Sequence, residues 1–184
     1  MKPETLIQVA DKEFELFISF SQITARIQEL GFALNRDYES RNPVFLPVLN
    51  GSFMFASDLI REICVPCEVC FIKTASYDGL ESTGNVQQVF GPDDSIRGRH
   101  LILLEDIVDT GQTVAALRET ISAFQPASVE VASLFFKPEA FRGNYAVRYR
   151  GFDIPDKFIV GYGLDYKGLG RNYRDVYSLF RIAE

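Results

Sequence analysis

Arg99-His100-Leu101-Ile102-Leu103-Leu104-Glu105-Asp106-Ile107-Val108-Asp109-Thr110-Gly111-Gln112-Thr113 is the stretch on which the fold turns. Leu101 to Leu104 form an unbroken aliphatic run, far short of the ~20 apolar residues that span a bilayer. A short run of this kind, ending in a turn signal, reads as a strand buried on both faces. Glu105 and Asp106 follow it, then Asp109 and the small polar run Thr110 to Thr113. Val114-Ala115-Ala116-Leu117-Arg118 then opens a helix. Acidic groups and a Gly-containing loop thus lie between the C-terminal end of a central strand and a helix, the edge at which open α/β sheets bind ligands.

The loop points to a class of ligand. Backbone N–H groups at a helix N-terminus, with the positive end of the helix dipole behind them, bind phosphate. Gly111 allows close approach of the backbone, and the hydroxyls of Thr110 and Thr113 add donors. Glu105 and Asp106 suit ribose hydroxyls or a hard cation such as Mg²⁺. Phosphate at one end and a diol at the other describe a phosphoribosyl group. The alternative, a capped helix preceded by solvated acids, would crowd Glu105, Asp106 and Asp109 together for no structural gain. The order aliphatic, acidic, aliphatic, Asp-Thr-Gly-x-Thr in Leu103 to Thr113 resembles the signature of type I phosphoribosyltransferases, which bind phosphoribosyl pyrophosphate (PRPP).

The resemblance extends over roughly residues 44–175, in the order of the family's motifs. Val44 to Leu49 reads as a strand with Pro47 inside it, a residue tolerated there only where its missing N–H is not needed. Val48-Leu49-Asn50-Gly51-Ser52-Phe53-Met54-Phe55 is similar to the first active-site loop of the hypoxanthine-guanine branch. The resemblance implies that the amides of Asn50 and Gly51 receive pyrophosphate and that the Leu49–Asn50 peptide is cis. Asn50 stands where many members carry Lys or Arg; an amide donor survives that change, a cationic side chain does not. On its own, Asn-Gly is a turn signal.

Ala75 to Asn85 is a polar, Gly-flanked segment that reads as a loop. The resemblance makes it a lid, with Ser76 and Tyr77 as its leading residues, closing to exclude water from the reacting centre. Val129 to Phe136 is an apolar strand ending at Lys137, which by resemblance donates to the exocyclic oxygen of a 6-oxopurine. Pro155 to Tyr166 resembles the purine-binding strand and loop. There Phe158 would stack on the base, the main chain of Ile159 would meet its edge, and Asp165 would lie near the exocyclic group or a second Mg²⁺. Gly161-x-Gly163 lacks the third glycine and the helix of a dinucleotide fingerprint. Arg171 matches an arginine that contacts pyrophosphate, for which a guanidinium has suitably paired donors.

The remaining chain is structural. Ile23, Ile27, Leu30 and Leu34 recur at helical spacing, with Ser21 as the expected N-cap. Residues 1–20 read as a strand or cover segment, 53–63 as a helix, 67–74 as a strand, 113–124 as a helix, 142–151 as irregular and 176–182 as a last strand. Cys64, Cys67 and Cys70 are spaced C-x2-C-x2-C. With no fourth ligand nearby and apolar residues interleaved, they read as strand residues, and an odd count argues against a disulfide framework.

The chain has 184 residues and a net charge of −6, which disfavours a broad basic face for nucleic acid. Neither a signal peptide nor a membrane span is visible, so a soluble cytoplasmic protein is expected. The expectation is one α/β domain over 1–184, with a mostly parallel central sheet flanked by helices, a core at about 44–165 and a small hood from about 1–20 and 150–184. The resemblance implies transfer of phosphoribosyl from PRPP to hypoxanthine or guanine, with Asp109 as general base. Glu105, Asp106, Asp109, Thr110, Gly111, Gln112 and Thr113 would bind PRPP, and Glu105, Asp106 and Asp165 would ligate Mg²⁺. It also implies a homodimer or homotetramer. Alternatives are another base such as xanthine, or a PRPP-sensing regulator that binds nucleic acid.

Overall fold

Strands β1 (Leu6–Val9) and β2 (Lys12–Ile18) lead into helix α1 (Phe20–Asp37), followed by β3 (Val44–Leu49) and α2 (Phe53–Arg61). Next come β4 (Glu68–Val69), β5 (Ile72–Ala75) and β6 (Gln87–Phe90), then a 3-10 turn at Asp94–Ile96. The long strand β7 (His100–Val108), helix α3 (Gln112–Ser122) and strands β8 (Ser128–Phe136), β9 (Tyr149–Asp153), β10 (Ile159–Val160) and β11 (Val176–Ile182) complete the order. The computed structural model describes residues 6–75, 87–90 and 93–182.

Among the described residues the strands form two sheets. The larger runs β6-β5-β3-β7-β8-β9, with β4 also paired to β3. Its β3, β7, β8 and β9 ladders are parallel, and only β5–β6 is antiparallel. The mostly parallel sheet expected from the sequence is therefore present. The smaller sheet, β1-β2-β11-β10, is antiparallel throughout and draws on both ends of the chain.

Strand β7 lies between β3 and β8, and Leu101, Ile102, Leu103 and Leu104 are each 0% exposed. Their alternation divides the core into two layers. Ile102 and Leu104 pack with Ile23, Ile27, Leu30 and Leu34 of α1 and Phe55 and Leu59 of α2. Leu101 and Leu103 pack with Val114, Leu117 and Ile121 of α3. A strand covered on both faces has no polar side to present, so its sequence is a continuous apolar run.

Several boundaries differ from the sequence reading. Helix α1 is capped by Ser19, not Ser21: Ser19 Oγ accepts from Gln22 N, and Gln22 Oε1 accepts from Ser19 N, forming a capping box. Asp175, which precedes β11, accepts from Phe20 N at 2.7 Å and so ties the smaller sheet to the start of α1. The single strand expected over 67–74 is split into β4 and β5. Phe45 O accepts from Cys70 N at 2.9 Å, so alternate residues of β3 present their polar groups to that side. Pro47, two residues on, faces the interruption between β4 and β5 with its missing N–H. The region 142–151, expected to be irregular, already begins β9 at Tyr149.

Among the described residues, no helix is long and apolar enough to cross a membrane. The capping box yields a direct test of the α1 boundary. Ser19→Ala removes a cap worth ~1 kcal/mol and should lower the thermal midpoint by roughly 2–4 °C, whereas Ser21→Ala should change it by less than half as much in the same melt.

Candidate active site

The acids at the end of β7 occupy unlike environments. Glu105 is 6% exposed, and its carboxylate has no hydrogen bond or ion pair among the described residues. Burial, and then the charge of Asp106, push its pKa well above the ordinary carboxylate range. Asp106 is only partly buried; its Oδ1 accepts from Ile107 N at 2.8 Å. Its pKa is raised to about 6, with burial as the largest cause; the Ile107 amide and Arg171 oppose the shift and Asp165 adds to it. The carboxylate of Asp106 fills the space where a Cβ on Gly51 would lie, so position 51 has no room for a side chain.

Beyond β7 the backbone sorts its polar groups by side. The carbonyls face the segment after β8: Val108 O accepts from Lys137 N at 3.0 Å, Thr110 O from Arg142 N at 3.1 Å, and Gly111 O from Tyr145 Oη at 2.8 Å. The amides do not. Among the described residues those of Thr110, Gly111, Thr113 and Val114 donate to no acceptor, and that of Gln112 reaches only Thr110 Oγ1 at 3.5 Å. Gly111 is the N-cap of α3 with φ +84°, a left-handed conformation suited to glycine. A Cβ there would also sit 2.6 Å from the Phe141 ring. A hollow of about 90 Å³ is lined by Glu105 and by Ile107 through Val114, enough for about three waters or one oxyanion. A wider groove of about 720 Å³ lies elsewhere, on the outer side of α3 beside Arg118 and Tyr145; the hollow, though smaller, is the one that the free amides line.

Asp109 points to the strand edge. Its Oδ2 accepts from Lys137 Nζ at 2.8 Å, and Lys137 also donates to Asp156 Oδ1 at 2.9 Å. The Lys137 side chain is 8% exposed. Burial opposes its charge, but the hydrogen bonds and charges of the two aspartates prevail and raise its pKa above the ordinary lysine value. Asp156 lies within the stretch Pro155 to Tyr166, and only the fold brings it to Lys137. Phe158, two residues on, is 45% exposed, and its ring meets Tyr166 edge-on at 5.7 Å and Phe14 at 6.3 Å. Ile159 is buried within β10.

A further group gathers around the turn after β3. The Leu49–Asn50 peptide is cis, as the family resemblance implies. Asn50 is exposed, and the amides of Asn50 and Gly51 donate to no acceptor among the described residues. Gly163 packs against Gly51 O, and Gly163 O accepts from Arg171 Nη1 at 2.6 Å. Arg171 Nη2 pairs with Asp165 Oδ1 at 2.6 Å, and Asp165 Oδ2 accepts from Gly168 N at 2.7 Å. Asp165 thus uses both oxygens within its own loop. Among the described residues no group of three or more His, Cys, Asp or Glu side chains forms a metal site. Cys64, Cys67 and Cys70 are free thiols. Ser76 and Tyr77 lie outside the described residues. Asp156 and Tyr145 have no role assigned from the sequence; an acid within the purine motif and one of two tyrosines in the polar stretch 142–151 are the available signals.

The chain matches the family model for the phosphoribosyl transferase domain over residues 19–167. Hypoxanthine phosphoribosyltransferase of Haemophilus influenzae is 38% identical over 162 residues, covering 86% of this chain and 90% of that protein. Hypoxanthine-guanine phosphoribosyltransferase of Streptococcus pneumoniae is 39% identical over 165 residues, covering 88% and 89% respectively. The crystal structure of a Bacillus anthracis hypoxanthine-guanine phosphoribosyltransferase, with HEPES in its active site, is similar at a TM-score of 0.84 and 36% identity over 90% of this chain and 98% of that one. Trypanosoma cruzi hypoxanthine phosphoribosyltransferase in a ternary substrates complex gives 0.86 and 34% over 95% and 99%.

The raised pKa of Asp106 has a stability consequence. An unfolded Asp titrates near ~3.9, whereas in the folded chain Asp106 holds its proton up to about 6. Its contribution is therefore fully favourable below the unfolded value and is lost as pH rises through the folded one. In the absence of substrate and divalent metal, Asp106→Asn should raise the thermal midpoint at pH 7 by at least ~2 °C. The gain should shrink as pH falls and vanish only below about pH 3, where both states are protonated; a pH series of melts on the two proteins measures this.

Proposed function

This chain belongs to the phosphoribosyl transferase family, and from that premise we propose that it transfers 5-phosphoribosyl from PRPP to N9 of hypoxanthine or guanine, giving IMP or GMP and pyrophosphate. It is a transferase of purine salvage. The observation that carries this reading is the set of unpartnered amides at Thr110, Gly111, Thr113 and Val114 beside Glu105, a buried carboxylate with no partner among the described residues.

The 5′-phosphate lies on the amides from Asp109 to Thr113, with the positive end of α3 behind them. Thr110, Gln112 and Thr113 are among the residues that line the same hollow, and their side chains add polar groups to the phosphate site. Glu105 and Asp106 take the ribose hydroxyls, whose protons supply the hydrogen bond that Glu105 lacks and a further one to Asp106 beside its bond from Ile107 N. As N9 attacks C1′, the bond from C1′ to pyrophosphate breaks, and the N9 proton passes to Asp109 as general base. Positive charge grows on the ribose while negative charge grows on the leaving group, so fixed charges and amides do most of the work. The amides of Asn50 and Gly51, with Arg171, face the departing pyrophosphate.

The base is read from the other side of Asp109. Lys137 has used two of its donors on Asp109 and Asp156, and its third N–H suits the exocyclic oxygen shared by hypoxanthine and guanine. The exposed part of the Phe158 ring stacks on the purine, and the backbone of Ile159 meets its edge.

Mg²⁺ fits this donor set. The unpartnered Glu105 and the partly buried Asp106 are carboxylates whose charge is unfavourable alone, and Mg²⁺ is commonly held by one or two carboxylates together with substrate phosphates and water. Asp165, engaged with Arg171 and Gly168, is the weaker candidate. When bound, the ion neutralises charge on pyrophosphate.

Pyrophosphate release, measured with PRPP and each of hypoxanthine, guanine, xanthine and adenine, tests the reading. The 6-oxopurines hypoxanthine and guanine should turn over and adenine should not, and EDTA should abolish the signal; release with adenine alone would reject the assignment. Asp109→Asn should cut kcat by about 10²-fold while leaving the PRPP dissociation constant within a few-fold, and equal losses in both would remove Asp109 from the proton transfer.

A further inference from the structure

The segment from Lys137 to Tyr145 supports the loop at the end of β7 through successive bonds to its carbonyls. Lys137 N meets Val108 O, Arg142 N meets Thr110 O, and Tyr145 Oη meets Gly111 O. Two of these tethers are made by main-chain amides, which no ordinary side-chain replacement removes. The third is a side chain, and it acts at the residue with φ +84°, where the chain turns from strand to helix. Gly111 O also accepts from Ala115 N at 3.0 Å, the first bond of α3. Holding that carbonyl back fixes the peptide that joins Gly111 to Gln112, and with it the direction of the Gln112 amide.

Tyr145 is itself held in place. Its ring meets Phe141 edge-on at 5.2 Å, and Phe141 meets Phe136 of β8 at 5.1 Å. The Arg118 guanidinium lies over the Tyr145 ring at 5.4 Å and donates to Val129 O at 2.6 Å. A Cβ on Gly111 would be 2.7 Å from Tyr145 Oη, so the hydroxyl occupies the space the glycine leaves. Burial, followed by the charge of Glu105, pushes the phenol up to about 12, so it remains a donor at any pH at which the chain would work.

We propose that Tyr145 is a positioning residue for PRPP: its hydroxyl anchors the Gly111 carbonyl so that the amides that follow it, from Gln112 to Val114, stay directed at the sugar phosphate. This rests on the reading that those amides bind phosphate. Tyr145 touches neither substrate nor reacting atoms in this account; it acts through Gly111.

The test is Tyr145→Phe, which keeps the ring and its packing and removes only the donor. Loss of one such bond should weaken PRPP binding about 5-fold, measured by calorimetry without base and again as KM for PRPP. kcat should stay within about 2-fold and KM for hypoxanthine at saturating PRPP should be unchanged, a split that a general loss of packing does not produce. Arg118→Gln removes the neighbour of the ring but leaves the hydroxyl, and should keep wild-type PRPP affinity. Wild-type PRPP affinity in Tyr145→Phe overturns the inference, as does equal weakening in both variants or a parallel loss for both substrates. If the wild-type protein turns over hypoxanthine while Tyr145→Phe matches it, only this inference fails. A wild-type protein that neither binds nor consumes PRPP overturns the proposed function and this inference together.

Discussion

Burial of β7 on both faces is the constraint from which the site follows. Leu101 to Leu104 contribute alternately to two helix-covered layers, and the strand is paired in parallel on each side, to β3 and β8. A one-residue slip would exchange its two apolar sets and break both ladders. The strand therefore delivers Glu105, Asp106 and Asp109 to fixed positions at the sheet edge. The same register places Lys137 at the end of β8, one residue beyond the pairing of Val108 with Phe136, next to Asp109.

The electrostatics of that edge work against the folded chain when it is alone. Glu105 is buried without a partner, and Asp106 is partly buried beside it. Desolvation and like charge both disfavour their ionised forms. Elsewhere in the chain such groups are matched: Asp37 is met by Arg148 and Tyr149, and Asp58 by Tyr162. Glu105, which has no such partner among the described residues, lies at the rim where a ligand can supply the missing donor. This is the pattern expected where stability has been given up locally for binding.

Much of this was legible in the sequence because it rests on local pattern. The four-residue apolar run announced a strand covered twice, and the helical spacing of Ile23, Ile27, Leu30 and Leu34 announced the face of α1 that is buried. What local pattern could not settle was which of several similar groups a distant partner would select. Ser19 and Ser21 are equally plausible caps by type, but Gln22 stands three residues after Ser19 and completes its box. Pro47 warned of a missing donor without saying where the gap would fall; the break between β4 and β5 lies opposite it. Asp156 and Tyr145 acquire meaning only after the chain has returned to β7 from a long way off.

The division of the β7–α3 loop into tethered carbonyls and free amides bears on how this site tolerates drift over evolutionary time. In the proposed phosphate site the grip is made chiefly from peptide groups, which depend less on the identity of the side chains that hang from them than on the path of the backbone. The vulnerable positions are those that shape the turn: Gly111, whose missing Cβ admits it, and the aromatic wall of Phe141 and Tyr145 behind it. Substitutions that damage such a loop would then fall on the residues that set its backbone path, and not on the side chains at its rim.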